Sequence, residues 1–409
     1  MKTLLVIGSG DEVYREYSLR SIAERYSIVL LQEPVPTWQR KYIVDSVSVS
    51  MSDQEAAVAA AKELALRHQI DGIFTYEEPS VEIAARIAAE LGLKYSSRES
   101  TKICRDKFLM RQAFEEFKVP SCISRLVHSL DEAKTTAAEI GYPIVLKPRA
   151  MASSLGVVKV DSEQELEAAF GISTAATHSR YSNDQGILVE EYMDGPEISV
   201  ESAVIDGEVQ IVAVTRKKIG FPPFFEETGH VVSPAEPIDN IKAVHDVVIK
   251  AHKALGILQG VTHSELRLSQ RGPRMVELGA RLGGDLIPYL VKLATGVDLS
   301  LAAADIAVGA TPRLEHTKSQ AATVRFLYPD HDVRVRDLSV DEVVFSWDGV
   351  DRVVWELAPG DTMKLPPRDF SMRLGMVIVT AQDGNACEAL IDRVLEKASL
   401  DLEKLEMAD

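Results

Sequence analysis

Two glutamates in one short hairpin offer the first chemistry. The stretch from His263 to Glu277 reads as two strands around a turn centred on Arg271-Gly272, with Glu265 and Glu277 each six residues from Arg271 and so on one face of the ribbon. Opposed carboxylates repel unless a cation offsets them, and hard oxygen donors suit Mg²⁺, above all where phosphate oxygens complete an octahedron. A pair of solvent-exposed hairpin glutamates is the plain alternative. Four residues on, Arg281 can bind a transferring phosphoryl group bidentately. Gly283-Gly284 lets the backbone approach a ligand or simply permits a turn. Asp285 follows at an expected helix N-terminus, where it caps the helix or favours a cationic substrate group.

Other charged residues fall where a phosphate ligand would need them. Lys147 ends the apolar run Ile144-Val145-Leu146, and a lysine there must snorkel or meet an anion. The small-residue stretch Ala150–Gly156 follows, in which the Ser153 and Ser154 hydroxyls and the backbone N–H groups up to Gly156 can fold over phosphates or form an ordinary loop. It is not a P-loop, since GxxxxGK[ST] occurs nowhere in the chain. Lys107 opens a helix, as a ligand or a surface residue. In Val189-Glu190-Glu191-Tyr192-Met193-Asp194-Gly195-Pro196-Glu197 a strand leaves the core, bends and returns. Carboxylates at such a bend can accept from an amino group or from ribose hydroxyls, or form a polar strand face. Glu77 and Glu78 end a strand where open α/β sheets place ligands, to meet an amine or to start the next helix.

The elements that must position these groups form three parts. Over residues 1–95, Leu4–Ile7, Ile28–Leu31 and Gly72–Tyr76 read as strands alternating with helices, which argues a doubly wound parallel sheet. Gly8 and Gly10 do not complete a dinucleotide fingerprint, because Val13 stands where the third glycine belongs; a tight turn is the reading. Residues 96–310 form the middle part, divided near 188–189. It holds helices at Ser97–Cys104, Asp106–Phe117 and Asp161–Phe170, a polar connector at Ser173–Gln185, and a β-rich segment from Gly186 to Val214. A long loop with Pro222-Pro223 and Pro234, a helix from Ile238, the hairpin and two helices complete it. Residues 311–409 are strand-dominated with one closing helix. The expected class is α/β and α+β, multidomain.

Composition narrows the partners. At roughly 100–200 residues per domain, 409 residues give two to four domains. Lys+Arg 45 against Asp+Glu 62 leaves −17, which repels nucleic-acid backbones and anionic lipid. Three cysteines are too few and too scattered for a disulfide framework or a Cys-based zinc site. The apolar start at Leu4–Ile7 is too short for a signal peptide, and no run of roughly 18 apolar residues occurs, so a cytoplasmic protein is expected.

Taken in order, Asp106-Lys107, Ile144-Val145-Leu146-Lys147-Pro148, Ser153-Ser154-Leu155-Gly156, Val189-Glu190-Glu191-Tyr192 and Glu265…Glu277…Arg281-Leu282-Gly283-Gly284 resemble the ATP-grasp superfamily of carboxylate–amine ligases. Glu226-Glu227-Thr228-Gly229-His230 and Arg373-Leu374-Gly375-Met376 are most similar to the bacterial L-amino-acid (dipeptide) ligase group. The resemblance implies an ATP-grasp fold between a Rossmann-like N-terminal domain and a β-rich lid. It implies ATP and a pair of Mg²⁺ ions as cofactors, with Mn²⁺ able to substitute. Lys107 and Lys147 would contact phosphates and the adenine side, and Ser153–Gly156 would close over the β/γ-phosphates. Glu190 would accept from the adenine amino group, in a segment running through Glu191, Tyr192 and the Met193 backbone, and Glu197 would hold the ribose. Glu265 and Glu277 would bind metal, and Arg281, Glu277 and Lys147 would carry catalysis. The substrate segment would include Glu227, a candidate partner for an α-ammonium, and His230 on a loop facing the pocket. The implied reaction joins two amino acids through an acylphosphate. Another carboxylate (a biosynthetic intermediate, a carrier-bound acyl group or a purine-pathway compound) and a silent nucleotide-binding regulator are the alternatives. A homodimer is compatible with all of these. One residue departs from the pattern: Gly279 stands where many relatives carry Asn.

Overall fold

The computed structural model describes residues 1–151, 153–177 and 186–406. Apolar runs with β-branched residues build the first sheet from β1 (Thr3–Ile7), β2 (Ser27–Gln32), β3 (Asp45–Ser48) and β4 (Gly72–Phe74), parallel and in the order β3-β2-β1-β4. β3 departs from the sequence reading, which has no strand there. Asp45-Ser46-Val47-Ser48 lacks the apolar signal because it is an edge strand, only partly buried.

A four-stranded antiparallel sheet follows, from β5 (Ser124–Val127), β6 (Ile144–Pro148), β7 (Val158–Val160) and β8 (Ile187–Glu191), ordered β5-β8-β6-β7. The helix beside it runs Glu163–Thr177, longer than expected, so Ser173–Thr177 is helical rather than connector; the rest of that connector, 178–185, lies outside the described residues, as does Ala152 in the small-residue loop. The remaining strands are β9 (Glu197–Ile205), β10 (Glu208–Gly220), β11 (Glu226–Val232), β12 (Gln259–Ser269), β13 (Gly272–Gly279), β14 (Ala321–Leu327), β15 (Val333–Val340), β16 (Val350–Trp355), β17 (Thr362–Met363), β18 (Gly375–Ala381) and β19 (Ala398–Lys404). Eight of these form one antiparallel sheet, β13-β12-β9-β10-β11-β14-β18-β16, and β17-β15-β19 form a small one. The eight-stranded sheet runs across position 310 without a break.

β11 is a correction to the sequence reading. The long loop expected after Val214 is strand for most of its length, because β10 and β14 pair with β11 on both sides. Prolines at 222, 223 and 234 flank that strand and do not interrupt it.

A single core joins the three parts. One face of the parallel sheet (Leu4, Val6, Leu30, Phe74) packs with helices Glu12–Ala23, Ile287–Thr295 and Leu299–Ala307, which also pack against Ala203, Val261, Val324 and Ile378 of the large sheet. The other face of the parallel sheet is closed by helices Gln54–Arg67 and Val81–Leu91. The cleft therefore lies among elements that share buried contacts, which fixes the charged groups lining it.

Candidate functional site

One face of five adjacent strands carries the charged residues. Register pairs Glu265 with Glu277 and Ser199, His263 with Gly279 and Glu201, and Arg267 with Glu197. Side chains directly opposite one another share a face, and the period of two adds Glu197, Ser199 and Glu201 of β9 to the same floor. Thr215 of β10 pairs with Ser199, which brings Lys217 to that face, and Lys217 pairs with His230 of β11. Glu227 and His230 are three apart and would face opposite sides of a regular strand. The register shift between Lys218 and Ile219 leaves Thr228 unpaired, and this bulge returns Glu227 to the face of His230.

The Glu265–Glu277 pairing matches the sequence reading for a different reason. The turn is Gln270-Arg271, with Ser269 opposite Gly272, and that register alone would set Glu265 against Val276. A bulge between Glu265 and Leu266 shifts the strands by one residue and restores the pair.

At one end of the cleft, Lys147 lies two residues past Val145, the register partner of Glu190, so both side chains point the same way. Lys147 Nζ is 2.7 Å from Glu190 Oε2, and Arg111 Nε donates to Glu190 Oε1 at 2.8 Å. All three are buried. Burial acts to raise the Glu190 carboxyl, but Arg111 and Lys147 outweigh it and hold the group far below the carboxylate range. Burial and then the Arg111 charge lower Lys147. Of the neighbouring residues, Glu191 turns away to Arg271 and to Arg274 at 3.2 Å, Tyr192 stacks under the Lys159 ammonium, and Met193 is buried.

Lys107 connects this end to the paired glutamates. Its Nζ donates to the Met151 carbonyl at 2.6 Å and stands 3.1 Å from Glu277 Oε2. Beside it Ser153, Ser154 and Gly156 have φ of 56°, 54° and 71°, a tight left-handed loop whose Gly156 carbonyl accepts from Ser173 at 2.7 Å.

Lys217 is the hub of the floor. Its ammonium lies 2.8 Å from Glu197, 2.6 Å from Glu227 and 2.5 Å from Glu265, and its side chain is 2% exposed. Burial would lower this amine, and the three carboxylates raise it instead. Glu197 also meets Arg267 at 3.0 Å. Among the described residues, Glu197, Glu227 and Glu265 form one of two clusters close enough to hold a metal ion, but its centre is the Lys217 ammonium. The Glu265–Glu277 pair could also hold a divalent cation. Lys217 and His263 both reach Glu265 through Oε1, and Lys107 reaches Glu277 through Oε2, so each carboxylate offers its other oxygen.

Arg281 is anchored from the N-terminal domain. Its Nε donates to Glu78 Oε2 at 2.5 Å and its Nη1 to the Leu282 carbonyl at 2.7 Å, and neither bond uses Nη2. Burial acts to raise Glu78, but Arg281 and Arg105 outweigh it and hold the carboxyl at about 2. Glu77 faces elsewhere. Its Oε1 accepts from the Gly10 amide at 2.6 Å, and a Cβ on Gly8, where φ is +72°, would lie 2.0 Å from its Oε2. Glu77 therefore closes the Gly8-Ser9-Gly10 turn.

The other end of the cleft joins all three parts. His230 Nε2 lies 3.2 Å from Glu227 Oε2 and 3.4 Å from Asp285 Oδ2, on a strand and not on the expected loop. Burial would lower this imidazole, and hydrogen bonds to Asp285 and Glu227 raise it. Asp285 does not cap a helix, which corrects the capping reading of this residue. The helix starts at Ile287, and Arg373 donates to Asp285 Oδ1 at 2.9 Å and Oδ2 at 2.7 Å. Arg373 also packs 3.4 Å from the centroid of Phe326 and donates to the Tyr14 and Tyr328 hydroxyls at 3.1 and 3.2 Å. Gly284 faces open space, whereas Gly283 is covered.

Lys217, Arg111, His263, Glu201, Tyr14 and Arg373 have no site role in the sequence reading. Two left signals. Arg216-Lys217-Lys218 resembles a surface run, yet consecutive strand residues alternate faces, so one of the three must point inward. His263-Ser264-Glu265 has the spacing that puts an imidazole on the face of a metal-type carboxylate.

Residues 140–289 match the ATP-grasp domain family, and residues 325–403 match L-amino acid ligase C-terminal domain 2. The chain is 28% identical over 354 residues to the uncharacterized protein y4rH of Sinorhizobium fredii, covering 86% of this chain and 73% of that one. It is 29% identical over 339 residues to alanine–anticapsin ligase of Bacillus subtilis, covering 76% and 70%. In fold it is similar to the L-amino acid ligase from Bacillus licheniformis, with a TM-score of 0.83 over 99% of both chains at 23% identity. Among the described residues no helix is long and apolar enough to cross a membrane.

Proposed function

The chain belongs to the ATP-grasp carboxylate–amine ligases, with an L-amino acid ligase C-terminal domain, and from that premise we propose that it forms an amide between an amino-acid carboxylate and the amine of a second amino acid. ADP and phosphate are the other products, and the setting is the cytoplasm. The observation that carries this reading is the row of buried and half-buried charged side chains from Glu190 and Lys147, through Lys107, Glu277, Glu265, Lys217 and Glu227, to His230 and Asp285. A nucleotide at the first end and an amino acid at the second would place the γ-phosphate and a carboxylate between them, over the paired glutamates.

The residues then take separate roles. Lys107 and Lys147 meet the phosphates, and the Ser153–Gly156 loop covers them. Glu190 keeps lone pairs for the adenine amino group despite its two cations, and Glu197 accepts from the ribose. Glu265 and Glu277 would hold a pair of Mg²⁺ ions, which offset the phosphate charge when bound. A substrate carboxylate oxygen attacks the γ-phosphorus, the bond to the bridging oxygen breaks, and ADP leaves. The amine nitrogen then attacks the acyl carbon of the acylphosphate. Arg281 Nη2 steadies the resulting oxyanion, which collapses with loss of a proton from nitrogen and departure of phosphate. Glu227 pairs with an α-ammonium, and His230 and Asp285 line the same end.

The test is incubation with Mg-ATP and a matrix of amino-acid pairs, following phosphate release and dipeptide mass. The proposal expects both to rise together for some pairs. Turnover only with a different carboxylate would move the substrate class, and nucleotide binding without turnover would leave a regulator.

A further inference from the structure

Behind Glu265 lies a buried pair that the proposed chemistry does not use. Glu201 is 0% exposed and His263 is 5% exposed, both on the floor of the cleft. His263 Nδ1 is 2.7 Å from Glu201 Oε1, and its Nε2 is 3.2 Å from Glu265 Oε1. Both ring nitrogens thus face carboxylates. Ser199 Oγ donates to the same Glu201 oxygen at 2.9 Å, while Glu201 Oε2 is buried with no hydrogen-bond partner among the described residues. Gly283 seals the pair: a Cβ there would lie 3.1 Å from His263 Nδ1 and 3.2 Å from Glu201 Oε2.

This arrangement is a poor way to stabilise a sheet. A buried ion pair with an unsatisfied oxygen is often no more stable than well-packed apolar side chains of similar volume. What it does supply is direction. The carboxylate of Glu201 fixes the imidazole plane, and the imidazole holds one oxygen of Glu265, so that the other oxygen is presented to the cleft at a set angle. Lys217 of β10 holds the same Oε1 from across β9. We infer that Glu201 and His263 are positioning residues that orient Glu265 as a divalent-cation ligand. The inference rests on the proposed metal role of Glu265. Groups that orient a metal ligand in this way are worth about 10–100-fold in metal affinity when removed.

Mn²⁺ binding in the presence of a non-hydrolysable ATP analogue, read from the electron paramagnetic resonance signal of the free ion, tests this apart from turnover. His263→Leu should weaken Mn²⁺ by about 10–100-fold. His263→Gln, which restores a donor toward Glu265, should recover much of the loss, a result that packing alone would not give. Should His263→Leu fail to fold, Glu201→Gln keeps the volume and removes the charge behind the ring, and it should weaken Mn²⁺ in the same direction. Wild-type Mn²⁺ affinity in a folded His263 or Glu201 variant, while Glu265→Gln loses the ion, would overturn the inference and leave the metal site standing. Wild-type affinity in Glu265→Gln would overturn the metal site and the inference together.

Discussion

Arg373→Met removes the guanidinium that joins the C-terminal part to Asp285 while keeping an aliphatic chain over Phe326. In the native protein that guanidinium is bidentate, at 2.9 and 2.7 Å, and its side chain is 5% exposed. Losing one partner of a buried pair costs about 3–5 kcal/mol, because the remaining charge stays uncompensated. Asp285 keeps 22% of its side chain exposed and has His230 at 3.4 Å, which puts the loss at or below the low end, about 2–3 kcal/mol. The pH dependence has a definite sign. Burial acts to raise the Asp285 carboxyl, but Arg373 outweighs it and holds the group well below the usual range. A depressed folded value contributes stability that is fully present above the unfolded value of about 3.9 and is lost as pH falls through the folded value. The advantage of wild type over Arg373→Met should therefore be full at pH 7 and narrow below about pH 4. Urea unfolding followed by far-ultraviolet circular dichroism, on wild type, both single variants and Arg373→Met/Asp285→Asn, measures it. The double variant should recover most of the loss, since no orphan charge remains. A loss under about 1 kcal/mol at pH 7, or a double variant no more stable than Arg373→Met, would refute the clamp.

Three further predictions concern other parts of the cleft. Gly8→Ala sets a Cβ 2.0 Å from Glu77 Oε2 at a φ of +72°, and should lower the thermal midpoint through strain of about 1–3 kcal/mol; an unchanged midpoint would contradict the turn-closing role of Glu77. Arg111→Leu strips one of two cations from Glu190, so the KM for ATP should rise more than kcat falls, and steady-state kinetics with ATP varied would detect the split. Glu277→Gln should abolish turnover while far-ultraviolet circular dichroism stays native, and retained activity would remove Glu277 from the metal site.

The legible part of this protein was the part written in local pattern. Strand–helix alternation revealed the parallel sheet, and the motifs singled out Lys107, Lys147, Glu190, Glu265, Glu277 and Arg281, charged side chains that the fold gathers along one cleft. The end of the cleft around Glu227, His230 and Asp285 was read less well because it depends on register. Glu227 and His230 share a face through one bulge at Thr228, and no composition signal marks a bulge there. Asp285 looks like a helix cap until Arg373, 88 residues away in sequence, claims its carboxylate. The turn of the central hairpin sits one residue earlier than expected, and a bulge cancels the difference. β3 was missed because an edge strand needs little apolar surface. In each case strand pairing or a distant partner decides the outcome, and local propensity carries no record of it.

On the proposed route a carboxylate is activated by transfer of the γ-phosphoryl group of ATP. Supplying the carboxylate substrate labelled with ¹⁸O in both oxygens, with Mg-ATP and an amine, and weighing the released phosphate by mass spectrometry addresses it directly. Phosphoryl transfer to the carboxylate puts one labelled oxygen in inorganic phosphate for each amide formed, with ADP as the nucleotide product. Unlabelled phosphate beside a new amide, or label in AMP with release of pyrophosphate, would contradict it.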